Sequence, residues 1–235
     1  MNIVLVPGYM LDEDLWADVA EDLAQVGSLS YADLSRDATI EDMALRLLAR
    51  APERFVLVGF SMGGYVAREV VRLAPTRVIG LILIATSSRG DTEVQAQRKA
   101  TVARAPSSSK FGGLSRGAIL SSLGAAHANE LLVARIRAMS VRLGGDVFGR
   151  QSSLVRTGDA DQLGSIGCPT LVIAAADDRL RSLDEAMELH TGIPGSKLAV
   201  IPGAGHMIPL EAPGQLLDVI RPWLSNLPLA GATEG

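Results

Sequence analysis

The 235-residue chain has one cysteine, and aromatic side chains make up only 4% of it. A lone cysteine cannot close an internal disulfide, so nothing in the sequence asks for an oxidising compartment. Cys168 precedes Pro169 at the start of an apolar run and reads as a small packing residue rather than a second nucleophile. With few aromatics, Leu, Val, Ile and Ala must fill the interior. No stretch approaches the ~18 apolar residues that a membrane helix needs. The opening Met1-Asn2-Ile3-Val4-Leu5-Val6 is too short an apolar run for a signal peptide and lacks a basic leader. A soluble, cytoplasmic protein with no membrane partner is expected. A net charge of −4 gives no electrostatic case for a nucleic-acid partner.

What is present is an alternation. Residues 2–6, 28–32, 55–58 and 78–85 are strand-like, and the first, third and fourth of these are apolar nearly throughout. Helical spacing lies between them: Leu15, Val19 and Leu23 mark a helix over 14–25, and Ile40, Met43, Ala44, Leu47 and Leu48 mark another behind a Thr39 N-cap. Strands apolar on both faces, separated by amphipathic helices, predict a parallel sheet covered on both sides. Between about 89 and 164 the pattern is lost. Helical pieces over 92–105, 116–123, 129–143 and 146–155 are broken by Pro106-Ser107-Ser108-Ser109 and Gly112-Gly113. Strands then return at 170–175 and 197–201, and a last helix covers 213–224. This predicts one α/β core, 1–88 with 165–235, carrying a helical insertion over 89–164. The tail from 228 is expected to fray.

The insertion holds 11 Lys and Arg against 6 Asp and Glu, a net of +5, which leaves 11 − 20 = −9 for the rest. The simpler reading is a basic lid resting on an acidic core. The sharper one is a lid cation that meets a carboxylate on the substrate.

Chemistry enters at Gly59-Phe60-Ser61-Met62-Gly63, set between the apolar run Phe55-Val56-Leu57-Val58 and a helix-like segment over 64–73. A serine hydroxyl is a poor nucleophile unless the backbone thrusts it toward a base. A buried strand that ends in a sharp turn and starts a helix at once does that, and the flanking glycines leave room for the turn. The serine needs a histidine to take its proton and an acid to orient that histidine. Of three histidines, His127 and His190 fall in helix-like surface stretches. His206 lies in Pro202-Gly203-Ala204-Gly205-His206-Met207-Ile208-Pro209, a small-residue loop after the last strand, and is the candidate base.

For the acid, the strand over 170–175 runs into Ala176-Asp177-Asp178. Functional groups gather at the carboxyl ends of strands in such sheets. Asp178 is preferred, with Asp177 as its rival; the one not used is expected to cap the next helix. Thr86-Ser87-Ser88-Arg89, after the preceding strand, offers no carboxylate. The order Ser61, Asp178, His206 matches one hydrolase architecture. A tetrahedral intermediate also needs two donors for its oxyanion. The Met62 backbone N–H is one candidate. The other comes from Pro7-Gly8-Tyr9-Met10, with the Tyr9 N–H favoured over that of Met10. The Tyr9 side chain either walls the acyl site or packs on Trp16.

Val6-Pro7-Gly8-Tyr9, Gly59 to Tyr65, Pro169-Thr170-Leu171-Val172 and Pro202 to Glu211 together resemble the α/β-hydrolase superfamily. The similarity is greatest to small capped esterases, enol-lactonases and cofactor-free haloperoxidase-like hydrolases. It implies a mostly parallel sheet flanked by helices, with a helical cap inserted after the sixth-strand position of that fold, the fourth strand read here. It also implies an enzyme with no cofactor and no metal. Three departures stand out. Pro7 replaces the His of many relatives, Ala175 replaces the usual Gly before the acid, and the loop Asp33-Leu34-Ser35-Arg36-Asp37 is short. Ser61 separates the chain from the dehalogenases and epoxide hydrolases of this fold, which use an Asp at the elbow. The expected reaction is cleavage of a small-molecule carboxylic ester through an acyl-enzyme on Ser61. Enol-lactone or other lactone hydrolysis, C–C bond hydrolysis and perhydrolysis use the same residues, and a hydrolase-fold ligand receptor is the non-enzymatic alternative.

Overall fold

A computed structural model describes residues 1–104 and 111–228; the serine cluster 107–109 and the tail from 229 lie outside them. Six strands, β1 (Asn2–Val6), β2 (Ser28–Tyr31), β3 (Phe55–Phe60), β4 (Val78–Ile84), β5 (Thr170–Ala175) and β6 (Lys197–Ile201), form one sheet in the order β2-β1-β3-β4-β5-β6. All five neighbouring pairs are parallel. The runs that are apolar throughout, β3 and β5, are buried along their whole length, while β2 and β6 close the edges half-exposed. Burial on both faces is what a continuous apolar run predicts.

The helices are α1 (Ala17–Ala24), α2 (Ile40–Arg50), α3 (Met62–Leu73), α4 (Glu93–Arg104), α5 (Arg116–Ser122), α6 (Glu130–Ser153), α7 (Leu183–Gly192), α8 (Ile208–Glu211) and α9 (Pro213–Ser225). Side chains alternate across each strand, so the sheet feeds two cores. Ile3, Leu5, Val56, Val58, Ile82 and Ile173 pack with α1 and α9 on one face. Val4, Leu57, Leu83 and Val172 pack with α2, α3 and α7 on the other. Thr39 caps α2 as its position predicts, its hydroxyl accepting the Asp42 N–H at 3.0 Å. The first predicted helix starts differently: residues Glu13–Trp16 form a 3-10 turn capped by Asp12, and α1 follows. Cys168 is half-buried, and burial pushes its thiol pKa up.

From β1 the chain winds outward to β2, then crosses back to β3 and continues the other way through β6. The carboxyl ends of β1 and β3 therefore flank the point where winding reverses, the usual place for a ligand crevice in an open α/β sheet. Between β4 and β5 the described residues form no strand; they hold α4, α5, α6 and a 3-10 turn over Ala160–Ser165. Gly144, at φ 83° and ψ 176°, kinks α6 into the two helical pieces that the sequence spacing predicts. Among the described residues no helix is long and apolar enough to cross a membrane.

Candidate active site

Ser61 joins β3 to α3 at φ 51° and ψ −113°. A residue with a Cβ rarely occupies that region, and the strain persists only where surroundings enforce it. Here the Ser61 N–H donates to the Ile84 carbonyl at 2.9 Å, and its own carbonyl accepts from Thr86 Oγ1 at 2.7 Å. The two glycines are required by close approach. A Cβ on Gly59 would lie 2.6 Å from the Gly63 carbonyl oxygen, and one on Gly63 would lie 2.5 Å from the carbonyl oxygens of both Val6 and Pro7.

Three side chains from the ends of three strands meet in one line. His206 Nε2 is 2.9 Å from Ser61 Oγ, and His206 Nδ1 is 2.8 Å from Asp178 Oδ2. A carboxylate only accepts, so Nδ1 carries the ring proton and Nε2 is left to accept from the serine. Asp178 is fixed through its other oxygen, which accepts the backbone N–H groups of Leu180 at 2.7 Å and Arg181 at 2.9 Å. The His206 and Asp178 side chains are 5% and 1% exposed, so water competes little for these bonds. Phe60 packs on the imidazole, ring centroids 5.2 Å apart.

Asp177 points elsewhere: it is exposed, and only its backbone N–H is engaged, with the Ala204 carbonyl at 3.0 Å. It does not cap α7, contrary to expectation. Ser182 does so in a reciprocal box with Glu185, because the cap must sit one residue before the first helical turn and Asp177 lies too far back. His127 lies in a turn rather than a helix, and His190 in α7 contacts Ser196 Oγ at 2.9 Å.

The two proposed oxyanion donors also lie in this crevice. Among the described residues, neither the Tyr9 nor the Met62 N–H has a protein acceptor, whereas the Met10 N–H donates to Gln151 Oε1 at 2.8 Å. The rival donor is therefore taken. The Tyr9 side chain turns to α6, with its hydroxyl 2.6 Å from Ser152 Oγ and its ring near Phe148, while Trp16 packs edge-on against Phe60. Burial raises the Tyr9 pKa, against the opposing hydrogen bond to Ser152.

Tyr9, Ser61, Met62 and His206 line a cavity of about 410 Å³, whose remaining wall includes Gln151, Leu154, Leu180, Lys99, Arg156 and Arg181. A larger groove of about 870 Å³ shares Gln151 but holds none of Ser61, Asp178 and His206. Among the described residues no group of three or more His, Cys, Asp or Glu is placed to hold a metal ion.

Several residues that shape the site carry no obvious motif. Buried Glu211 accepts the N–H groups of Gly205 at 3.0 Å and Met207 at 2.9 Å, on either side of His206, and that of Gly124 at 2.7 Å. The His206 N–H donates in turn to the Ser122 carbonyl at 2.9 Å. The available signal was an acid enclosed by Ile208-Pro209-Leu210 and Ala212-Pro213, where solvation alone would not place one. Arg68, fully buried in α3, makes a two-pronged pair with Asp159 at 2.7 and 2.9 Å.

A sequence profile of the alpha/beta hydrolase family matches residues 3–219, and the chain belongs to that family. Among curated proteins, the pimeloyl-[acyl-carrier protein] methyl ester esterase of Pseudoalteromonas atlantica is 36% identical over 98 residues, covering 37% of this chain and 38% of that protein. The corresponding esterase of Edwardsiella ictaluri is 33% identical over 94 residues, covering 37% and 36%. The match thus spans little more than a third of these relatives. Among solved structures, a thermophilic esterase from Thermogutta terrifontis with malate bound superposes with a TM-score of 0.84 at 27% identity, over 97% of this chain and 90% of that one. The enol-lactonase from Burkholderia xenovorans superposes with a TM-score of 0.83 at 20% identity, over 95% and 91%, a likeness of fold.

Proposed function

We propose that the chain is a serine hydrolase of small-molecule carboxylic esters, with Ser61 as nucleophile, His206 as general base and acid, and Asp178 as the acid that orients it. The observation that carries this reading is the unbroken hydrogen-bond line from Asp178 through His206 to Ser61 Oγ. Esterases among both the curated relatives and the structural neighbours support the substrate class.

The geometry supports the following steps. Ser61 Oγ bonds to the ester carbonyl carbon as its proton passes to His206 Nε2. The carbonyl oxygen becomes an oxyanion, held by the Tyr9 and Met62 N–H groups, which have no protein partner to give up among the described residues. When the intermediate collapses, the C–O bond to the alcohol breaks and Nε2–H protonates the departing oxygen. Water then attacks the acyl-enzyme, gives its proton to Nε2 and releases the acid, and Ser61 regains its proton. No cofactor takes part. A lactone would react by the same steps, with the alcohol left tethered to the acid. Residues 89–164 act as the cap over this site, and 1–88 with 165–235 as the catalytic core.

The test is a pre-steady-state assay with p-nitrophenyl butyrate. A burst of one p-nitrophenolate per chain, followed by steady turnover and absent in Ser61→Ala, is expected. Equal rates for the native protein and Ser61→Ala would contradict the assignment.

A further inference from the structure

Among the described residues, the charged side chains on the cavity wall are Lys99, Arg156 and Arg181, with no Asp or Glu beside them. Their counter-charges stand behind the wall. Arg181 has its own partner, Glu185 at 3.1 Å. Lys99 and Arg156, in contrast, share one carboxylate. Asp91 accepts from Arg156 Nε and Nη2 at 2.9 and 2.7 Å, from the Arg156 backbone N–H at 2.9 Å and from Lys99 Nζ at 2.5 Å. Two cations on one anion leave a surplus positive charge, and the site is sheltered: the Lys99, Arg156 and Asp91 side chains are 18%, 17% and 4% exposed.

Each cation also keeps a donor in reserve. Lys99 spends a second N–H on the Leu154 carbonyl at 2.6 Å, which leaves its third. Arg156 Nη1 meets no acceptor among the described residues, because Nε and Nη2 take up Asp91. Burial would push the Asp91 carboxyl up, but the Lys99 and Arg156 hydrogen bonds outweigh it and hold it below the usual range. Asp91 therefore stays an anion and fixes both cations in place. Simple stapling of the start of α4 to the exit of α6 would need one cation, not two that line the Ser61 cavity.

Building on the serine hydrolase reading above, we propose that Lys99 and Arg156 form an anion subsite, and that the ester cleaved at Ser61 carries a free carboxylate on a second arm. A half-ester of a dicarboxylic acid has that form. Its carboxylate accepts from Lys99 Nζ and Arg156 Nη1 while the ester carbonyl sits at Ser61.

The direct test compares kcat/KM for p-nitrophenyl hydrogen adipate with that for its neutral methyl ester. A charged-to-neutral ratio of about ten or more is expected, falling at least about tenfold in Lys99→Gln and in Arg156→Gln, since charge-assisted hydrogen bonds are worth that much. Most of the fall lies in KM. Arg116→Gln removes an exposed cation of the same region, paired with Glu130, and leaves the ratio unchanged. A native ratio near one overturns the subsite, as does a high ratio that both substitutions leave intact. Calorimetric binding of adipate against adipamide reads the subsite without turnover: tighter adipate binding, lost in both variants, supports it, and equal binding of the two overturns it. Failure of the underlying reading looks different, with neither ester hydrolysed and Ser61 unlabelled by a fluorophosphonate whether or not adipate binds.

Discussion

The sheet and the segment between β4 and β5 share buried apolar packing, and the segment adds polar contacts of its own to the core. Strands β1, β3, β4 and β5 contribute alternating aliphatic side chains to two continuous cores, and the residues proposed for catalysis stand on the ends of β3, β5 and β6. The segment that walls the cavity packs Ile119, Leu123, Val133, Ile136 and Met139 into the core shared with β1 and α9, and it is also attached by polar contacts. Arg135 pairs with Asp14 and Asp18, Arg142 with Asp12 and Asp14, and Arg150 donates to the Ser35 carbonyl. Gln151 bridges the Met10 N–H and the Leu34 carbonyl. Partly exposed ion pairs contribute little each and weaken with salt. The scaffold is thus held by apolar packing at its centre, and its cover by apolar packing together with ion pairs that salt can screen.

Two features cross that divide, and perturbing them sharpens the contrast. Asp178→Asn acts inside the core and should lower kcat by about 10⁴-fold by spoiling the imidazole tautomer, whereas Asp177→Asn, one residue away and exposed, should leave steady-state kinetics close to native. Asp159→Asn removes half of the buried pair that ties the exit of the segment to α3. It should destabilise the protein by about 3–5 kcal/mol in urea unfolding, because Arg68 is left buried and unmatched. A loss under 1 kcal/mol, on the scale of an exposed pair, would place that contact with the surface pairs.

Glu211 joins the His206 loop to Gly124 and should matter through position. Glu211→Ala is expected to lower kcat about a hundredfold, as small misplacements do, while Glu211→Gln, which keeps an acceptor oxygen, recovers part of the loss. Equal losses would reduce the residue to a packing role. At Asp91 the carboxyl is held below its usual range, so its contribution to stability is full above the ordinary carboxylate pKa and is lost as pH falls through the folded value. From about pH 6 to about pH 3 the melting temperature should fall more steeply for the native protein than for Asp91→Asn. Smallest of all, Arg142→Gln should change global stability by no more than about 1 kcal/mol. It should still speed hydrogen exchange in α6, an effect that added salt reproduces in the native protein.

The sequence made much of this legible, and unevenly. Strand positions followed from apolar runs, which only a covered parallel sheet explains. Ser61 and His206 could be read because the elbow and the small-residue loop constrain composition. The charge split over 89–164 was legible too, and two of the arginines that carry it, Arg135 and Arg142, meet acids near the start of α1. The sequence favours Asp178 over Asp177, although both follow the same strand; in the structure the carboxylate within reach of His206 is that of Asp178, held by a turn that presents its Oδ1 to two N–H groups. Glu211, Asp159 and Asp91 escaped for a shared reason: their partners lie far along the chain or are backbone groups, and neither leaves a periodic trace.

The central claim is that Ser61 is the one activated nucleophile, and intact-protein mass spectrometry after exposure to a fluorophosphonate probe tests it most directly. A single adduct that peptide mapping assigns to Ser61, and that His206→Ala suppresses, is the predicted result. An unlabelled native protein, or an adduct that persists in Ser61→Ala, would contradict it.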